Sequence, residues 1–323
     1  MGYTEGTAQF NNTLAGLLRI NDQNLSDVEA SDLIQPTGFV AALPFRLASQ
    51  GTQHHWTVRT VAPGVGFREL NAGILNTAAK EKTVTANLKL LDASFDRDWK
   101  TPTSPRMTLE QYMSRESMLS LNAAITAMDK QFIQGGTGGA SAAGFDGLFD
   151  IISLWGNMGK DVGGNGGTRV YMLCLGEDRI CGVIGGSTSG QEGNIEVGEM
   201  YMVRDKDTDS KVHDRWRVPI AGWMGLQIAG SYSGAVAFNI DGTTGKTVDD
   251  DLLAELYNAF PTDRAPFVNC ILMSRTGSKQ YRDSLVTDLI PNPPFQTSWK
   301  GAGRDIPIIV DDNVNDSEDV NES

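Results

Sequence analysis

The residues of this chain best suited by type and spacing to do chemistry are Gly242, Thr243, Thr244, Gly245, Lys246 and Thr247. An apolar run over 235–240 precedes them and a helical pattern follows, the setting in which backbone amides, a lysine and a threonine can cradle phosphates. That chemistry would make the chain a nucleotide-binding enzyme. A phosphate-binding loop needs another glycine five residues before Gly245, and that position is Ile240, so the segment is too short to wrap a phosphate and reads as a turn followed by a helix cap. Asp205, Asp207 and Asp209 alternate like the ligands of a calcium loop, yet the sixth and twelfth places, which require glycine and glutamate, hold Ser210 and Trp216. An acidic surface turn is the plainer reading. A Ser-His-Asp or Cys-His arrangement would have to use His54, His55 or His213, and no GxSxG, CxxC or HExxH pattern accompanies them. Cys174 and Cys181 with His213 could hold a metal in principle, but Cys174 alternates with Leu173 and Leu175 in an apolar strand and reads as packing. These patterns assign no catalytic residue, no cofactor and no metal ligand, and the chain is expected not to be an enzyme.

The elements that would have to carry any site are more informative. Residues 107–134 place Leu109, Met113, Leu121, Ala124, Ile125, Met128 and Phe132 on a 3.6-residue period. Thr108 with Gln111 forms a capping box, Pro102 and Pro105 keep helix from extending upstream, and Gly135 with Gly136 ends it. At 1.5 Å per residue this helix is roughly 40 Å long, a spine for other elements. Upstream, Trp56 and Val58 alternate with Thr57 and Arg59 as far as Pro63 and Gly64, and Val84, Ala86, Leu88 and Leu90 alternate with polar residues. The two runs predict a long hairpin whose tip of about twenty residues holds Gly64, Gly66 and Gly73. A two-stranded ribbon is marginal alone in water, so its faces must rest on something else.

The first fifty residues read as an arm, with a short helix over 13–20 and extended chain over 36–47. Glycine-dense stretches follow the spine. Beyond them strands are expected over 168–175, 199–204, 216–220, 226–229, 235–240, 267–273 and 306–310, with helices from Thr247 and over 277–286. Helices and strands mix without a regular βαβ beat, which predicts an α+β fold.

With 323 residues, 40% hydrophobic and 21% charged, the chain can bury a core. It shows no run of eighteen apolar residues and no basic, apolar leader, so neither a membrane span nor a secretory signal is expected, and Gly6 stands where a myristoylation signal needs Ser or Thr. Its three cysteines suit reduced, packed thiols in a cytosolic compartment. The net charge of −13, with no cluster of Lys and Arg, argues against binding nucleic acid through its phosphates. The last thirteen residues, from Asp311, are acidic and read as a solvated tail.

The order of parts resembles that of the major capsid proteins of tailed bacteriophages: arm, extended hairpin loop, spine helix, β-rich axial domain, and a return to the peripheral sheet. Four stretches are similar to capsid subunits of a short-tailed-phage subfamily: TRVYMLCLGEDRICGVIG (168–185), DRWRVPIAGWMGLQIAGSYSGAVAFNID (214–241), FVNCILMSRTGSKQYRDSL (267–285) and GRDIPIIVDDNV (303–314). The resemblance implies an N-terminal arm over 1–50, an extended loop over 51–100, a peripheral domain over 101–166 carrying the spine, an axial domain over 167–284, and over 285–323 a return to the peripheral domain with an acidic tail. It implies that the loop lies over a neighbouring subunit, so Trp56, Arg59, Phe67, Arg68, Leu75, Lys80 and Lys82 are expected at an assembly interface. Arg275, Thr276 and Gly277 would open an axial-domain helix, and 306–311 would return to the peripheral sheet.

The implied partners are further copies of the chain in hexamers and pentamers, a scaffolding protein, since no long cleavable propeptide is visible, a portal protein, and room for a decoration or cement protein. Encapsidated double-stranded DNA would be held only non-specifically, no membrane is involved, and the location would be the virion, assembled in the host cytoplasm. No Lys-Asn cross-link is assigned, although Lys80, Lys82 and Lys89 lie on the loop. A nanocompartment shell of the same fold, or a nucleotide-binding enzyme using residues 242–247, are the alternative readings.

Overall fold

The computed structural model describes residues 38–71, 73, 78–100, 108–136, 140–156, 158–185, 195–206, 212–243, 245–286, 293–301 and 303–314. The helix expected over 13–20, Leu75, Asp207, Asp209, Met107 and the acidic residues beyond 314 lie outside these.

In chain order, a short helix α1 (Gly38–Ala42) leads into β1 (Phe45–Leu47), followed by β2 (Gln53–Val61), β3 (Lys80–Asn87), β4 (Lys89–Asp92) and β5 (Phe95–Asp98). The spine is α2 (Leu109–Gln134), after which come α3 (Leu148–Ile152), β6 (Gly159–Asp161), β7 (Thr168–Leu173), β8 (Ile180–Ile184) and β9 (Glu196–Val197). Then β10 (Tyr201–Lys206), β11 (Val212–Val218), β12 (Ile220–Ile228), β13 (Gly234–Ile240), α4 (Asp250–Asn258), β14 (Cys270–Met273), α5 (Arg275–Ser284), β15 (Ser298–Gly301) and β16 (Arg304–Val310) complete the chain. The mixture of α and β without repeated crossovers is the expected α+β class.

The spine forms as its sequence dictates. Thr108 accepts from the Gln111 backbone N–H while the Gln111 side chain accepts from the Thr108 N–H, closing the capping box. The helix stops at Gly135, whose φ of 71° favours a residue without Cβ. Toward its C-terminal end burial spreads beyond the apolar stripe to include Asp129, Gln131, Ile133 and Gln134. Phe132 sits against Phe45 and Phe145, with ring centroids 5.9 and 4.9 Å apart, tying the spine to β1 and to the loop before α3.

There are two larger sheets, and the spine packs on the first through β4 and β12. One runs β1-β8-β12-β4, with β9 also on β12; the other runs β15-β16-β14-β7-β13-β6. Strands β7 and β14 are buried along their whole length, as central strands covered on both faces must be. Helix α4 packs Leu252, Leu253 and Leu256 into the core, and α5 contributes Tyr281. The chain crosses between the sheets more than once: β7 and β13 lie in the six-stranded sheet, while β8 and β12, between them in sequence, lie in the other. Gly182 on β8 permits the β1 contact, since a Cβ there would lie 2.3 Å from the Phe45 ring. A three-stranded sheet, β10-β11-β5, and the β2-β3 ribbon stand apart.

Several local expectations shift. Residues 38–42, expected extended, are helical. The helix expected from Thr247 begins at Asp250, because Asp249 caps it by accepting from the Leu252 N–H at 2.8 Å. The strand expected from Phe267 starts at Cys270: Pro266 lies in a single 3₁₀ turn over Ala265–Phe267 and has no N–H to give a ladder. The strand expected over 306–310 forms as β16 from Arg304 and pairs with β14, and the residues just after it reach the spine.

Candidate assembly interface

The ribbon is fixed at its base by one histidine. His54, 1% exposed, places Nε2 2.6 Å from Gln227 Oε1 on β12, while its Nδ1 accepts the Ser49 N–H at 3.2 Å. The tautomer follows: Nε2 carries the proton and donates it to Gln227, whose own amide donates to the Glu177 carbonyl at 3.1 Å. Burial lowers the pKa of this imidazole, only partly offset by the Gln227 hydrogen bond. His55 points to the other face, where it meets Thr85 and Gln50.

From that base β2 and β3 run antiparallel, pairing His54 with Ala86, Trp56 with Val84 and Val58 with Lys82. The inner face, His54, Trp56, Val58, Val84 and Ala86, is buried or half-buried, whereas residues 59–63 and 80–83 are exposed. The ribbon therefore leaves the body of the subunit about halfway along. Trp56 stacks on His54 at 5.7 Å, and its Nε1 is buried with no hydrogen-bond partner among the described residues. Arg59 pairs with Glu81 across the ribbon at 3.4 Å, an exposed pair that adds little stability. Lys80 and Lys82 are exposed on β3, and Phe67 and Arg68 lie in the exposed tip; Leu75 falls outside the described residues. At the tip Val65, Phe67 and Leu70 are 90%, 111% and 94% exposed. Val65 and Leu70 were not among the residues expected here, though their signal was present: large apolar side chains among glycines, which no hairpin turn requires.

The candidate chemical sites fare differently. In the 242–247 segment the Asp241 carboxylate already accepts from the Thr243 N–H and hydroxyl and from the Asn165 N–H, while Lys246 Nζ donates to the Gly163 carbonyl. The bonds to Asp241 hold its pKa down at about 2, so a carboxylate stands beside this segment and disfavours phosphate there. Asp205 lies 4.0 Å from Arg215 and His213 hydrogen-bonds Arg215, in the three-stranded sheet. Cys174, Cys181 and Cys270 are free and buried, their thiols pushed up to about 11, 12 and 12 by burial, so they hold little reactive thiolate. Among the described residues no group of three or more His, Cys, Asp or Glu could hold a metal, and no helix is long and apolar enough to cross a membrane.

No protein-family model and no curated protein sequence matches the chain. Solved structures do. The chain is similar to one in a cryo-EM structure of bacteriophage Epsilon15, with 16% identity over 98% of each chain and a TM-score of 0.59. It is also similar to the capsid of bacteriophage JBD30, with 9% identity over 95% of this chain and 100% of that one and a TM-score of 0.55. The fold is that of the tailed-phage major capsid proteins. An encapsulin complex of Synechococcus elongatus matches at a TM-score of 0.41, too low to bear an argument.

Proposed function

We propose that this chain is the structural shell subunit of a tailed-phage head, self-assembling into hexamers and pentamers that close an icosahedral container around double-stranded DNA, and that it is not an enzyme. The observation that carries this reading is a ribbon that leaves the body of the subunit about halfway along, with Val65, Phe67 and Leu70 at its tip in water. A ribbon is marginal by itself and an exposed apolar group marks a contact surface. A second copy supplies that contact most simply, since closed shells repeat one contact between identical subunits. Trp56, Arg59, Phe67, Arg68, Lys80 and Lys82 line or flank the same ribbon, and Leu75 lies in the same loop. The net charge of −13 suits an inner wall that does not grip DNA. Scaffolding, portal and decoration proteins are the further partners, with the subunit made in the host cytoplasm and ending in the virion.

The test is negative-stain electron microscopy and light scattering of the protein alone and coexpressed with a scaffolding protein. Closed particles, or rings of five and six, are expected; a stable monomer under both conditions would overturn the reading. Replacing residues 62–79 by an Asn-Gly turn should leave a subunit that unfolds at an unchanged midpoint and closes no stable particles. Normal shells from that variant would sink the loop's role.

A further inference from the structure

Where the start of the described chain, its end and the spine helix meet, two acids face each other in the interior. Asp129 on α2 is 0% exposed and Asp311, just past β16, is 4% exposed. Asp129 Oδ1 accepts the Val40 N–H at 3.1 Å, and Asp311 Oδ2 accepts the Phe39 N–H at 2.9 Å, so both carboxyls grip α1. Asn313 bridges the pair: its backbone N–H reaches Asp311 Oδ1 at 2.9 Å and its side-chain amide reaches Asp129 Oδ2 at 2.6 Å. Gln134 on the spine donates to the Asn313 carbonyl at 2.6 Å. Asn313 thus holds two buried carboxyls next to each other with no cation among their described contacts, an arrangement in which both are not ionised together.

We propose that Asp129, buried beside Asp311, keeps its proton and so forms a pH-operated clasp that ties residues 38–43 and 311–314 to the spine, closed while the proton is held and opened by its loss. Among the described residues no other ionised group answers it. Helix α1 offers none, Lys130 on the spine is exposed, and Asp312 is paired outside with Arg275 of α5 at 2.9 and 3.0 Å. Burial, then the charge and hydrogen bond of Asp311, push Asp129 up to about 8, against the pull of Asn313 and the Val40 N–H. In the open state Asp129 meets water and regains an ordinary carboxyl pKa near 4. The closed clasp thus holds a proton that the open one lacks between about pH 4 and about pH 8, and raising pH through that window favours opening. Because α1 leads into β1, an edge strand of the spine-side sheet, opening frees the segment that enters the sheet at the ribbon's base. The clasp belongs to the subunit and does not depend on the shell reading.

Amide hydrogen exchange of the full-length protein tests it directly, since the Phe39 and Val40 amides donate to the two acids. After correction for intrinsic exchange, their opening constant should rise about tenfold per pH unit up to about pH 8 and then level off, the signature of one linked proton. Asp129→Asn, which donates its own hydrogen bond without a titratable proton, should abolish that slope. An infrared band of a protonated carboxylic acid at neutral pH, absent from Asp129→Asn, is the second readout. An opening constant that does not vary with pH in the wild-type chain would overturn the proposal whether or not the variant folds. So would a slope that survives Asp129→Asn.

Discussion

At the scale of single residues, His54 and the Asp129–Asp311 pair titrate in opposite senses. His54 is held neutral because burial opposes its charge, so the unfolded chain takes up the proton first. Its native contacts stabilise fully above the unfolded value of about 6.5 and lose ground as pH falls below it. Because Asp129 favours the acid end, the test is a difference: in urea unfolding, the wild-type chain should lose stability relative to His54→Gln, which lacks this site, on going from pH 7.5 to pH 5.5. His54→Ala, which leaves the Gln227 oxygen without its donor, should cost about 1–3 kcal/mol at either pH. None of this was legible in sequence. Alternation put His54 on a strand, but its partner lies 173 residues away. The failure of the phosphate loop was legible, because Ile240 breaks a spacing rule; that the Asp241 carboxylate takes up the Thr243 N–H and hydroxyl was not.

At the scale of elements, what the sequence encodes locally is what it made readable. The spine's start came from a capping box contained in Thr108 and Gln111, and its end from Gly135. Gly135 is also a packing requirement, because a Cβ on it would lie 1.9 Å from Asp150 Oδ2 and 2.3 Å from the Gly147 nitrogen. Gly135→Ala should cost at least about 2 kcal/mol through crowding and an unfavourable φ, read as a lower denaturation midpoint. The ribbon was readable for a similar reason: its strands alternate and pair with each other. Strands β1 and β8 were not separately visible, since each is short and its pairing is distant in sequence. Helix α1 escaped because five residues beginning with glycine carry little periodicity, and it is held by the two acids of the clasp.

At the scale of the whole molecule, the α+β class followed from composition and pattern, while the capsid fold came from the order of parts. That order is a property no window of periodicity contains. The tip of the ribbon was readable as a loop, while the contact proposed for it lies on a second copy. Trypsin should cut after Arg68 in the free subunit and much more slowly in assembled particles, because a covered loop cannot unfold into a protease cleft. Equal rates in both forms would mean that the tip stays uncovered in the shell.

The placement of β16 also bears on how the protein is made. This strand lies between β15 and β14, yet it is the last of its sheet to be translated. A nascent chain that has not reached residue 304 leaves β14 as a bare apolar edge, which invites pairing with another chain. Premature termination late in the message would thus yield aggregation-prone fragments instead of inert ones, which the cell making the protein would have to clear.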